Sequence, residues 1–167
     1  MKWVTREYVH VDRTACPWLI KRFVDPKAEF IFVPTEKVLE TAKKENATPY
    51  DAQSVELGHH GEKCSFDAII EKYKIKDPAV LEVAKIVRAA DTGKLETVAE
   101  AAGLEAVMSG ISIVAKDDHE AIAKASIVYD ALYTNSKMKL IEGESKAEIE
   151  KMDRKQRREF LRKKLTE

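Results

Sequence analysis

A chain of 167 residues, 44% hydrophobic and 35% charged, suits one globular domain with a real core and is too short for two large ones. Lysine plus arginine equals aspartate plus glutamate at 29 each, which excludes a global field drawing the chain to nucleic acid or membrane. No apolar run approaches the roughly 18 residues of a membrane span, M-K-W-V-T-R-E-Y lacks the apolar region of a signal peptide, and two cysteines make no disulfide framework, so the chain reads as cytoplasmic with free thiols.

The opening W-V-T-R-E-Y-V-H-V is β-branched and aromatic enough for a strand. It runs into D-R-T-A-C-P-W-L-I-K-R-F-V-D, where Pro17 fits the first position of a helix that Asp25-Pro26 ends. The stretch E-F-I-F-V-P predicts a second strand, followed by a Thr35-capped helix through Lys44. Beyond T-P-Y-D and a polar loop from Glu56 to Lys63, Ser65 is a good cap for F-D-A-I-I-E-K-Y. Asp77 caps the next helix with Pro78 at its first position.

From there the chain reads as helix: L-E-T-V-A-E-A-A stopping at Gly103, then L-E-A-V-M-S-G-I-S-I-V-A. A helix opened by Asp117 and Glu120 follows, running to about Asn135 with Ile122, Ala125, Tyr129, Leu132 and Tyr133 on one stripe. The whole predicts a predominantly helical α+β single domain with a small β-sheet from the N-terminal third. Composition shifts after Gly143, giving a domain over 1–143 and a charged helical tail over 144–167, with a capping box from Ser145 to Glu148. Between Lys151 and Lys164 eight basic residues face two acidic ones. Such a stretch reads as a solvated terminal helix or as a contact for nucleic acid or a partner.

The residues that could carry chemistry fall in two groups. Cys16 precedes Pro17 and Cys64 precedes Ser65, so both thiols are expected at helix starts, where the helix dipole lowers a thiol pKa. His10, Asp12 and Arg13 accompany the first cysteine, and His59, His60 and Asp67 the second. If the segments meet, His59, His60, Cys64, Cys16, Asp67, His10 and Asp12 make a donor set for a transition metal ion such as zinc or iron, in an open site rather than a closed structural knot. The glycines flanking His59-His60 supply the backbone freedom to bring imidazoles together. Arginines form the second group: Arg13 in the first turn, Arg22 on the first helix, and Arg88 in an apolar helix. Arg88 pairs with Asp91 or contacts an anion in a pocket that Asp91 and Thr92 also line. No nucleotide-binding glycine loop is present, so no nucleotide cofactor is expected, and neither a nucleophile elbow nor a zincin motif occurs.

Taken together, H-V-D-R-T-A-C-P-W-L-I-K-R-F-V-D-P, P-Y-D, E-L-G-H-H-G-E-K-C-S-F-D and I-V-R-A-A-D-T resemble the ChrB-type chromate resistance domain, from about Trp3 to Tyr133. In that family the domain is often the C-terminal part of a longer chromate-responsive regulator whose N-terminal part supplies DNA binding, and the basic tail lies outside the shared pattern. Asp12, Arg13, Cys16, Arg22, Glu56, His59, His60, Cys64, Asp67, Arg88, Asp91 and Thr92 fall in the shared motifs. The first reading is a cytoplasmic chromate-resistance sensor domain that binds a metal ion or an oxyanion such as chromate, with Arg13, Arg22, Arg88, Asp91, Thr92 and Glu56 as ligand-binding residues. A small metal- or thiol-dependent enzyme is the alternative, with catalytic residues unassigned, and a purely structural domain is the third. Expected partners are a small anion or metal ion; nucleic acid would be met only through the tail or a separate DNA-binding partner, no membrane is expected, and oligomer formation stays open.

Overall fold

In the computed structural model, which describes residues 1–166, three parallel strands, β1 (Lys2–Arg6), β2 (Glu29–Val33) and β3 (Thr48–Pro49), form one sheet in the order β2-β1-β3. Trp3 stands opposite both Phe30 and Thr48. The chain leaves β1 toward β2 and returns past it to β3. With right-handed crossovers, that reversal puts the two connecting helices on opposite faces. Side-chain alternation along β1 agrees: Trp3 joins the main core, whereas Val4 packs with Val38 and Ala47 under the second helix. The reversal also opens a crevice at the strand ends between β1 and β3, where open α/β sheets bind ligands.

The first helix, α1 (Val11–Phe23), begins six residues before the expected Pro17. His10 occupies the cap position, with its carbonyl accepting from Thr14 at 2.9 Å. Pro17 sits inside the helix, where it removes one amide hydrogen bond and its ring crowds the carbonyl one turn earlier, and the buried face from Val11 to Ile20 offsets that cost. Cys16 is therefore a buried mid-helix residue rather than a helix-start thiol. Thr35 does not cap either; a 3-10 turn at Thr35–Lys37 precedes α2 (Val38–Glu45).

The helical body is α3 (Ser65–Tyr73), α4 (Pro78–Asp91), α5 (Ala101–Val114) and α6 (Asp118–Glu144). Cys64, not Ser65, holds the cap position of α3. Asp77 caps α4 as expected, accepting from Ala79 at 2.8 Å and Val80 at 3.1 Å. The helix expected over L-E-T-V-A-E-A-A reduces to a 3-10 turn at Leu95–Thr97, because Val98 takes extended backbone and packs on the core. Gly103 then lies in the first turn of α5. Asp117 caps α6 through the Glu120 amide at 2.8 Å. That helix runs past Asn135 and through Gly143, since one glycine costs about 1 kcal/mol and no second breaker joins it.

Ser145 makes no side-chain cap, and α7 is the single turn Lys146–Ile149. The last helix, α8 (Arg154–Thr166), folds back on α6, burying Leu161 and pairing Arg157 with Glu142 at 2.7 Å. No helix among the described residues is long and apolar enough to cross a membrane.

Trp18 is the hinge of the aromatic core. Its ring lies parallel to Phe66 with centroids 6.3 Å apart, meets Phe23, Tyr129 and Tyr133, and its indole N–H donates to Asp130 at 3.0 Å. Trp18→Ala should cost about 3–5 kcal/mol in urea unfolding. A loss below about 1 kcal/mol would mean that these helices do not share one core.

Candidate metal centre

Asp12 is 1% exposed in the first turn of α1, at the end of the loop that follows β1. Its two oxygens accept the Ser65 amide at 2.8 Å and the Phe66 amide at 3.1 Å. These are orphan donors of the α3 N-terminus, so a buried anion is stabilised there by both hydrogen bonds and the helix dipole. Asp67 completes the same end from inside: it accepts the Cys64 amide at 3.1 Å in a capping-box arrangement. Arg88 grips Asp67 through two hydrogen bonds of 2.8 and 2.7 Å. Of the two uses open to Arg88, the pair with Asp91 gives way to a fork across two helices, which leaves Asp91 free to turn elsewhere.

Asp51 follows β3, 3% exposed, in a left-handed backbone conformation with φ of 43°. Arg13 donates to it at 2.9 Å, Arg6 at 3.1 Å, and the Ser65 hydroxyl at 3.4 Å. Strand ends β1 and β3 therefore each deliver one buried carboxylate to the crevice.

His59 reaches this crevice from the loop before α3. Gly58 approaches so closely that a Cβ would meet the Ala52 carbonyl at 2.7 Å, and Gly61 turns the chain with φ of +63°. The Nε2 atom of His59 lies 3.2 Å from Asp51, 3.3 Å from Asp91 and 3.4 Å from Asp12. Hydrogen bonding to Asp12, which outweighs desolvation, raises the imidazole pKa to about 9, with further attraction from Asp12, Asp51 and Asp91. Burial, then the Asp12 charge, pushes Asp91 up to about 6. Asp12, His59 and Asp91 each offer an atom within 4.8 Å of the others.

The thiols lie beside the cluster, unlike the low-pKa groups their expected placement implied. Cys16 donates to Asp12 at 3.4 Å and Cys64 to Asp67 at 3.5 Å. Both are buried, and desolvation followed by the Asp12 charge drives both thiols well above their ordinary pKa. Burial next to carboxylates overrides the dipole effect expected at helix starts.

The remaining expected residues disperse. His10 meets Ser109 at 3.0 Å, His60 turns its ring to the Glu56 carbonyl at 2.8 Å, and the Glu56 carboxylate pairs with Lys72 at 2.6 Å. Arg22 pairs with Asp130 at 2.7 Å, and the Thr92 hydroxyl donates to the Arg88 carbonyl at 2.8 Å. Sequence reasoning omitted Asp51 and Arg6. Asp51 stood in the P-Y-D segment, two positions past the end of β3.

The fold and the cluster define an α+β domain with an acidic, histidine-containing crevice at its parallel strand ends. The family model "ChrB, C-terminal domain" matches residues 3–136, and the chain belongs to that family. Protein ChrB of Cupriavidus metallidurans is 32% identical over 135 residues, covering 80% of this chain and 40% of that protein. The chain therefore spans less than half the length of this relative. No solved structure matches it.

The two raised pKa values set a pH profile for the metal-free protein. Asp91, with a folded value above its ordinary 3.8, contributes stability at low pH that disappears as pH rises through about 6. His59 contributes below 6.5, and that contribution is lost as pH climbs through about 9. Above pH 6, Asp91→Asn should be about 1–3 kcal/mol more stable than the parent in urea titrations with chelator present. Equal or lower stability would mean that Asp91 does not strain the cluster.

Proposed function

We propose that this domain is the metal-binding sensor module of a chromate-resistance protein, with a divalent transition metal ion held by Asp12, His59 and Asp91. One observation carries the reading: a single imidazole nitrogen is surrounded by three carboxylates. A ring nitrogen bears at most one proton and can satisfy one acceptor. Separations of 3.4 and 3.3 Å between the nitrogen and the Asp12 and Asp91 oxygens match neighbouring ligands around an ion with bonds of about 2.1 Å, which lie about 3.0 Å apart in an octahedron and 3.4 Å in a tetrahedron.

Asp12 would bind through one oxygen while both oxygens keep their α3 amide bonds, the outer-sphere support that fixes a ligand's direction. Asp51, held by Arg6 and Arg13, would remain a hydrogen-bonding neighbour. One nitrogen with carboxylate oxygens suits zinc, iron(II) or manganese and disfavours copper(I), which takes thiolates. Three protein ligands leave positions open for water or an exchangeable anion. Formally, Asp12, Asp51 and Asp91 balance Arg6, Arg13 and a protonated His59. A metal ion would take the place of the histidine proton.

Membership of the family supports a part in chromate resistance. An oxyanion such as chromate would reach the site as a ligand of the bound ion, because Arg13 and Arg88 are already committed to Asp51 and Asp67. A thiol-based enzyme finds no support in two buried, neutral cysteines. A sensor needs only that ligand binding favours one state over another.

Protein purified without chelators should carry close to one transition-metal ion, lost in His59→Ala and Asp91→Asn but kept in Cys16→Ser. Retention in both site variants would remove the assignment. Affinity should rise about tenfold per pH unit between about 6 and 9, as one proton leaves His59, and more steeply below 6, where Asp91 also releases one. Calorimetry across that range reads the slope, and a flat profile would mean that His59 is not a ligand.

A further inference from the structure

Charge in this neutral chain is not spread evenly. Lys151 to Lys164 holds a surplus of six positive charges, so the remainder carries a deficit of six. In the structure this surplus is gathered on one helix. Leu161 and the Arg157–Glu142 pair fasten α8 onto α6, and Arg154, Arg158 and Arg162 then stand at successive i, i+4 positions along one exposed edge. Successive members are about 6 Å apart along the axis. Among the described residues, no carboxylate lies within ion-pair distance of these three. Lys151, Lys155 and Lys163 extend the same exposed charge around the helix.

We infer that α8 is a docking surface for the phosphate backbone of duplex nucleic acid, with Arg154, Arg158 and Arg162 as its contacts. The row spans about 12 Å, over which one strand of a duplex presents three to four phosphates. A guanidinium fork suits a phosphate better than an ammonium does. An anionic membrane fits less well, because the apolar face of α8 is already spent: Leu161 is 5% exposed, and Phe160 and Leu165 are partly buried. Without an exposed apolar or aromatic anchor, an acidic protein partner would also lack a hot spot. Single-stranded nucleic acid would require aromatic stacking platforms that α8 does not present.

Backbone contacts carry no base information, so α8 supplies affinity and orientation rather than sequence choice. The surface lies beyond residues 3–136, the part matched by the family model, and it is independent of the metal centre.

The test is fluorescence anisotropy of the full chain with a labelled 20-base-pair duplex of arbitrary sequence, over a salt series. The expected slope of log affinity against log salt is about −3 for three phosphate contacts, falling in magnitude by about 1 with each of R154Q, R158Q and R162Q. The triple variant should lose binding while its circular dichroism and melting curve stay those of the parent. Undetectable binding at about 50 mM salt, or binding that survives the triple variant, would overturn the inference. So would preferential binding to phosphatidylserine vesicles in the same salt series.

Discussion

The N-terminus of α3 must be given an anion, and the rest of the crevice follows from how that is done. Asp12, from a different helix, accepts the first two amides of α3, and Asp67, from α3 itself, accepts the Cys64 amide. A carboxylate so held is stable when buried, because hydrogen bonds and the dipole replace its lost hydration. Once Asp12 is buried in the crevice, every group near it feels a fixed negative charge. His59 is drawn in and holds its proton, Asp91 resists ionisation, and the two thiols stay neutral. Arg6 and Arg13 are needed on the far side to keep Asp51 from adding to the excess.

The sheet explains why these residues meet at all. Asp12 follows β1 and Asp51 follows β3, neighbouring parallel strands, so both carboxylates emerge at the same end of the sheet, beside the N-terminus of α3. Helix α4 closes that crevice with Asp91, its last residue, while Arg88 one turn earlier is anchored to Asp67. The arginine thus ties α4 to α3. Much of the positive charge around the cluster is thus engaged structurally, in the pairs of Arg6 and Arg13 with Asp51 and of Arg88 with Asp67.

Fold class and most helix placements were legible in the residues, whereas the meeting of the Asp12 and His59 segments was a condition that the sequence left open. The positions of Asp77-Pro78 and Asp117 with Glu120 follow from local hydrogen bonding, and local rules sufficed there. Pro17 misled because a proline tolerated inside a well-buried helix looks like one at its start. Misplacing that start by six residues put Cys16 at a helix end and suggested an activated thiol. Asp51 was missed because nothing local distinguishes an aspartate after a two-residue strand from any loop residue; its role depends on Arg6 and Arg13, separated from it by 45 and 38 positions. His60 was grouped with His59 by adjacency, yet the tight turn pairing His60 with Lys63 sends the two rings to different places.

The claim that carboxylates and one imidazole, not thiols, define this centre is tested most directly by X-ray absorption at the metal edge of the loaded protein. The account predicts only oxygen and nitrogen neighbours near 2.1 Å, with the outer-shell signature of a single imidazole. A sulfur neighbour at about 2.3 Å would contradict it, because Cys16 or Cys64 would then have to leave its buried, protonated state to bind the ion.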